Sequence, residues 1–409
     1  MKYYSRYLPW FFVFMAFLAT GLSFLDRQVM SIAIIKINEE IPISDTEYGY
    51  INTGFLLSYA IMFTLAGILI DRWGSKIGLA YSVSLWSMAT MLHAFATNFT
   101  QFAVFRFLLG LGEGGAFPGA IKTVQEWVPK NRQALANGIA IGGSAVGAVI
   151  APPLCIYFFD DIGWRGVFLV SGIFGIFWVI LWIFLPNKVY DDVDLSARRS
   201  WLETKSIIGK LFRLKDVWVF ILIRFMLDPI LYFYMFWIPK FLNNEKGVKI
   251  EVIGKLYWIP FLALGISNIF GGYLSDFILR RTDNLNLARK CIMGFAALLT
   301  IPAAFVVLNP STDKVIAIMV IAFFAHGMWI TNYITSISDV FGKSLASTVV
   351  GLSGTAGALS SVIINPLMGK IINGYTYDPL WIYSGVMYGV VFIFFICAMP
   401  KIAPLKMDF

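Results

Sequence analysis

An all-α membrane protein built of two six-helix halves is the fold class this sequence predicts, and three observations predict it. Of its 409 residues, 58% are hydrophobic and only 14% charged, where a soluble domain carries about 25% charged residues; the mean hydropathy is +0.74. Apolar runs of about 20 residues, long enough to cross a bilayer core as a helix, recur with short polar breaks. The longest polar stretch divides the runs evenly.

Twelve runs centre near residues 22, 59, 86, 114, 145, 175, 229, 265, 298, 326, 358 and 389. No soluble domain is left over. With both termini in the cytoplasm, 20 Lys and Arg fall on the inner loops and eight on the outer ones, the asymmetry that membrane insertion favours. The same bias accounts for the net charge of +8 without any nucleic-acid partner. The expected location is the plasma (bacterial inner) membrane, crossed many times.

Residues 188–213, "KVYDDVDLSARRSWLETKSIIGKLFR", read as a cytoplasmic linker between an N-terminal bundle (1–187) and a C-terminal bundle (214–409), with a stretch that could lie along the membrane surface. A repeat supports the division. Gly67, Asp71 and Lys76 in "GILIDRWGSK" have the same spacing as Gly272, Asp276 and Arg281 in "GGYLSDFILRR", each after the second span of its half. Parallel repeats flanking a midplane site are an arrangement of secondary transporters.

Charged residues inside apolar runs are the candidates for function. An Asp or Arg at mid-bilayer costs about 2.5–3.5 kcal/mol on insertion scales, so it faces a cavity or a partner. Asp26 and Arg27 are adjacent in the first span, and Arg106 and Glu113 stand seven residues apart in the fourth, two turns along one helix face. Counted from the span ends, Asp26, Arg27 and Arg106 fall in the outer third and Glu113 and Tyr59 nearer the middle. The prediction is one intramembrane charge cluster lining an aqueous route open to the outside. Arg27 suits a substrate carboxylate, because guanidinium is always charged and binds bidentately. Glu113 suits proton carriage, with Asp26 as a second site and Arg106 as the cation that alternates between them. The alternative is a static network that only fastens two helices.

The seventh and tenth spans offer the other wall. Arg224 and Asp228 are four apart and most simply pair with each other. In "LYFYMFW", Tyr232 is the choice for the cavity and Trp237 for an aromatic belt at the lipid interface. His326, Trp329 and Asn332 form a polar stripe at i, i+3 and i+6, with His326 equally suited to a proton relay or a helix–helix hydrogen bond. The glycines of spans four, five and eleven suit close helix packing.

The loop Gly67, Asp71, Arg72, Gly74 and Lys76 resembles the signature of the major facilitator superfamily, whose acidic and basic residues latch the cytoplasmic side. More narrowly, "LDRQVMSIA", "RFLLGLGEGGAFPGAIKTVQEW", "NGIAIGGSAVGAVIAPPL" and "DPILYFYMFWIPKFL" resemble the anion:cation symporter family, and within it the bacterial hexuronate transporters. The resemblance implies proton-coupled import of a sugar acid, Tyr59 and Asn332 as substrate contacts, and a monomer. Trp329 joins Arg27, Tyr59, Tyr232 and Asn332 in the predicted substrate site; Asp71, Arg72, Lys76, Asp276 and Arg281 are the predicted gate. Gly327, where that group is expected to carry a polar amide, leaves the particular sugar acid open; the alternative within transport is another organic anion, such as an aldonate or sialic acid, or sodium rather than proton coupling. A non-transporting sensor would leave the gate loops idle. No G-x-x-x-x-G-K-[ST] loop, C-x-x-C pair or nucleophile motif is present, so neither an enzyme nor a cofactor or metal is expected.

Overall fold

The computed structural model describes residues 7–129, 132–186 and 208–405, apart from the side chains of 64, 71, 133–135, 160, 343, 344 and 347. Most of the predicted linker lies outside the described residues. The rest is helical, with no strand among the described residues. The first half comprises α1 (Leu8–Glu40), α2 (Asp45–His93), α3 (Phe99–Glu113), α4 (Ala116–Trp127) and α5 (Gln133–Phe184). In the second are α6 (Lys215–Phe236), α7 (Ile238–Asn244), α8 (Ile250–Leu256), α9 (Trp258–Thr282), α10 (Leu285–Thr300), a 3-10 turn (Ile301–Leu308), α11 (Thr312–Gly374) and α12 (Asp378–Ala398). Nine stretches of the described residues are long and apolar enough to cross a membrane.

Three of the longest helices are hairpins joined by one glycine. α2, α5 and α11 reverse at Gly74 (φ 78°), Gly163 (φ 65°) and Gly342 (φ 67°), each with ψ near 170°, a backbone region essentially reserved for glycine. Side chains fix where helices begin. Ser44 and Glu47 form a reciprocal capping box at α2, and Asn98 Oδ1 accepts from Gln101 N at 3.0 Å to start α3, satisfying donors that a helix leaves open. Asn284 does the same for α10.

Within the first half, α1 lies against α5 and α2 against α3; in the second, α11 packs on α6, α9 and α10. The α1–α5 contact is backbone on backbone: a Cβ added at Gly143 would run into the Phe17 carbonyl, and one at Gly147 into the Gly21 carbonyl. Thr20 Oγ1 donates across it to the Ala140 carbonyl at 2.6 Å. The packing role predicted for the glycines therefore holds there and along α3–α4. It fails for Gly138, Gly142, Gly351 and Gly354, where an added Cβ would meet nothing within 4 Å.

The break after α6 is held by tyrosines. Its last carbonyls lack helical partners and lie buried in the bundle, so hydroxyls from other elements serve them: Tyr257 donates to the Tyr234 carbonyl at 2.5 Å and Tyr48 to that of Phe236 at 2.8 Å. This fixes the aromatic turn that carries Tyr232.

Candidate functional site: a buried guanidinium–carboxylate pair in the first half

Arg27 and Glu113 meet deep in the first half. Arg27 donates from Nε at 3.1 Å and from Nη2 at 2.7 Å, both to Glu113 Oε2, leaving Oε1 without a hydrogen bond. The two side chains are 4% and 0% exposed. Ionic groups this dry persist only when paired, and removing one partner of such a pair costs about 3–5 kcal/mol. Aromatic rings surround the guanidinium: Arg27 Cζ lies 4.4 Å from the centre of Phe24, 4.8 Å from Tyr59 and 5.0 Å from Phe55. Each such contact contributes about 0.5–2 kcal/mol.

The other two predicted charges share this layer and point elsewhere. Asp26 Oδ1 accepts from the Ser171 hydroxyl of α5. Arg106 donates from Nη2 to the Arg27 carbonyl at 3.4 Å, while its Nε and Nη1 have no hydrogen-bond partner. In this conformation neither acid bonds to Arg106. Cluster membership was legible from helix spacing, but the direction of each side chain was not. Ser171 and the rings of Phe24 and Phe55 were missed; Phe24, one turn before Arg27, and Phe55, one turn before Tyr59, carried a spacing signal.

From the second half, Tyr232 stacks on Phe236 at 5.6 Å, whose ring meets Phe55, one of the rings around Arg27, edge-on at 6.4 Å. Arg224 bonds Asp228 with Nε–Oδ1 2.6 Å, the i, i+4 pair that the spacing predicts. Each half thus brings a guanidinium and a phenol: Arg27 and Tyr59 in the first, Arg224 and Tyr232 in the second.

Other predicted residues sit inside the second half. Trp329 packs edge-on to Tyr388 at 5.4 Å and toward Phe392, as a core side chain rather than a cavity wall. Asn332 donates to the carbonyls of Gly271 at 3.2 Å and Met328 at 2.9 Å, tying α11 to α9 and leaving its own Oδ1 unpaired. His326 Nδ1 is 2.5 Å from the Tyr388 hydroxyl, which is the helix–helix reading of that residue.

The end of the bundle read as outer is closed, not open. Asp45 Oδ1 at the start of α2 and Lys240 Nζ in α7 form an ion pair of 2.6 Å with side chains 17% and 5% exposed. Trp237 Nε1 donates to Asn365 Oδ1 at 3.1 Å, its ring edge-on to Tyr48 at 5.0 Å. Thr53 Oγ1 donates to the Val362 carbonyl at 3.2 Å and Asn373 Nδ2 to Thr46 Oγ1 at 2.9 Å. The Trp237–Asn365 bond lies within the second half and orients the ring against Tyr48; the other contacts join the two halves. Trp237 is thus fully buried and no lipid-belt residue; a polar partner 128 positions away gives no local sequence signal.

At the opposite end the predicted gate residues make contacts within their own halves. Lys76 Nζ donates to the Leu185 carbonyl, Ser75 N and Oγ donate to Glu126, and Arg72 is exposed; the side chain of Asp71 lies outside the described residues. In the second half, Asp276 pairs at 3.4 Å with Arg289 rather than with Arg281. Arg289 also binds Asp339 at 2.9 Å and Ser275 Oγ at 2.6 Å. Arg281 instead lies over Phe277. The matched spacing found the acid but not its cation.

Two helical halves, a buried ion pair with a free carboxylate oxygen inside the first of them, and a seal across one end are the parts of a membrane carrier. Comparison with known proteins agrees. Residues 16–365 match the family model of the Major Facilitator Superfamily, and the chain belongs to that superfamily as a multi-pass membrane protein. It is similar to the hexuronate transporter of Escherichia coli, 29% identical over 388 residues covering 91% of this chain and 90% of that one. It is also similar to an E. coli D-galactonate transporter, at 27% identity over 92% of each chain. The probable galactarate/D-glucarate transporter of Bacillus subtilis is 28% identical over 89% of this chain and 86% of its own. The fold matches the solved structure of a bacterial homolog of the human lysosomal transporter Spinster, with a TM-score of 0.80 at 20% identity over 97% of this chain and 98% of that one. A D-xylose–proton symporter gives 0.78 at 14% identity, over 95% and 98%.

Proposed function

We propose that the protein imports a monovalent sugar acid with a proton, and that the acid is a hexuronate such as glucuronate or galacturonate. The observation that carries this is the Arg27–Glu113 pair. The edge of Arg27 that a carboxylate would grip is occupied by Glu113. Protonating Glu113 removes its charge and frees that edge for the substrate. Release of substrate to the inside leaves Arg27 to reclaim Glu113 once its proton departs. One group thus cannot be free while the other is charged, which couples the two fluxes.

Tyr59 and Tyr232 are the proposed contacts for the sugar ring and its hydroxyls, one from each half. Asp26, against Ser171, is the proposed second proton site, with Arg106 as the cation that compensates it. Trp329 and Asn332 enter this scheme by shaping the second half, Asn332 through its unpaired Oδ1 as a hydroxyl contact after a shift of α11. Gating is proposed for Asp71, Arg72 and Lys76 in the first half and Asp276 and Arg281 in the second, with Arg289 taking the nearer place beside Asp276.

The topology that goes with this reading has twelve spans, counting the two arms of α2 and the α3–α4 pair with the nine apolar stretches. Both termini are cytoplasmic, residues 1–187 and 214–409 form the bundles, and 188–213 the linker, in a bacterial inner membrane. The sealed end is then outer, and the open space beside Gly138, Gly142, Gly351 and Gly354 belongs to an inward-facing carrier. The names of the hexuronate, galactonate and galactarate/glucarate transporters support the substrate class, while a probable sulfoacetate transporter, 28% identical, shares only the organic anion; the positive-inside bias supports the orientation.

The test is uptake of labelled glucuronate and galacturonate by the purified protein in liposomes, with and without an inward proton gradient and with sodium as a control. Gradient-driven accumulation of either acid is expected. Active vesicles that take up neither, but accumulate galactonate or another organic anion, would refute the hexuronate assignment; accumulation that follows sodium would refute proton coupling.

A further inference from the structure

Above the seal, between α1 of the first half and α7 and α8 of the second, lies a cleft of about 530 Å³, within the range of small-molecule sites. Its walls are polar. Lys36, Asn38 and Glu39 come from α1, and Lys240, Asn243, Asn244, Lys249 and Glu251 from the other half, so three ammonium groups face two carboxylates. Lys36 is held by Glu39 at 3.2 Å, and Lys240 reaches through the floor to Asp45. Lys249, exposed at the rim, makes no ion pair among the described residues. Lysines with interleaved amides suit a carboxylate that also carries hydroxyls. The main site described above does not use these residues.

Lys240 belongs to both structures at once, as wall of the cleft and as half of the ion pair that closes the seam. Resting on the proposed sugar-acid function, we propose that this cleft is a second, outer site for the substrate's carboxylate, where the anion competes with Asp45 for the Lys240 ammonium and so loosens the seal. External substrate then promotes the return of the inward-facing carrier to the outward-facing state. A ligand shifts such an equilibrium only by binding its two states differently. Here the difference is built in, because Lys240 can give its full charge to the anion only when it has let go of Asp45.

The experiment uses the full chain in liposomes or nanodiscs, with Arg27→Gln to remove the central clamp. Nitroxides at Thr97 and Asp313, exposed at the outer ends of the two halves, report opening by pulsed EPR distance. Glucuronate is expected to lengthen the distance in Arg27→Gln as well as in the unmodified protein, while glucose, uncharged but with the same ring, does not. Lys249→Gln should raise the half-saturating glucuronate concentration roughly two- to fivefold, the scale of one exposed charge contact. Arg27→Gln that stays silent while the unmodified protein both responds and transports glucuronate overturns the outer site and leaves the functional reading standing. An equal response to glucose, or none of the expected weakening in Lys249→Gln, also overturns it. Unmodified protein that transports no sugar acid overturns the functional reading and this proposal together.

Discussion

Replacing Asp45 with Asn leaves Lys240 charged in a place where its side chain is only 5% exposed. Removing one partner of a fully buried pair costs about 3–5 kcal/mol. Asp45 keeps 17% of its side-chain surface, so water offsets part of that and about 1–3 kcal/mol remains. The cost falls on the sealed conformation alone, since opening the seam delivers Lys240 to water. The ratio of open to sealed carrier should therefore rise roughly 5- to 150-fold. The assay is the outer-end nitroxide distance in the absence of substrate, with the exposed Cys291 and Cys397 replaced by Ser and the buried Cys155 kept. A population at longer distance should appear in Asp45→Asn and recede in the swapped pair Asp45→Lys with Lys240→Asp. An unchanged distance distribution in Asp45→Asn would refute the reasoning, because the pair would then contribute nothing to closure.

Other substitutions separate packing from open space. Gly147→Ala should cost about 1–3 kcal/mol, read as a lowered melting temperature in detergent, because its Cβ meets the Gly21 carbonyl, whereas Gly138→Ala should melt like the unmodified protein. Arg289→Gln should destabilise by about 3 kcal/mol, the low end for a buried pair because Asp276 is 63% exposed; Arg281→Gln, at the surface, should shift unfolding by about 0.5 kcal/mol or less. Tyr388→Phe removes the partner of His326 and should cost about 1–3 kcal/mol of stability with proton-driven accumulation per folded molecule unchanged. Loss of accumulation with exchange retained would instead make His326 a relay.

What the sequence made legible was what repeats locally. Apolar run length located nine spans that the described residues bear out, and the helical period placed Arg106 with Glu113 on α3 and Arg224 with Asp228 on α6. The price of intramembrane charge tied Asp26 and Arg27 to that same layer. Contacts between distant segments were not legible. Trp237 looked like a membrane-interface residue because its neighbours are aromatic, yet its hydrogen bond is to Asn365. Lys240 read as one more outer-loop charge, and only the fold brings it to Asp45. The repeat matches Arg281 to Lys76 but says nothing of which cation Asp276 meets. Arg289 wins because α10 returns alongside α9 after the left-handed turn at Asp283. Which way the carrier faces is a property of how the halves lean on each other, and no local pattern encodes it.

The central claim is that Arg27 and Glu113 exchange partners between each other, a proton and the substrate carboxylate. The most direct test compares Glu113→Gln with Arg27→Gln in the same liposomes, measuring glucuronate counterflow without a gradient beside accumulation with one. Glu113→Gln, which presents Arg27 permanently released, is predicted to keep counterflow and lose gradient-driven accumulation, while Arg27→Gln loses both. Glu113→Gln vesicles that still accumulate glucuronate against a gradient would contradict the account.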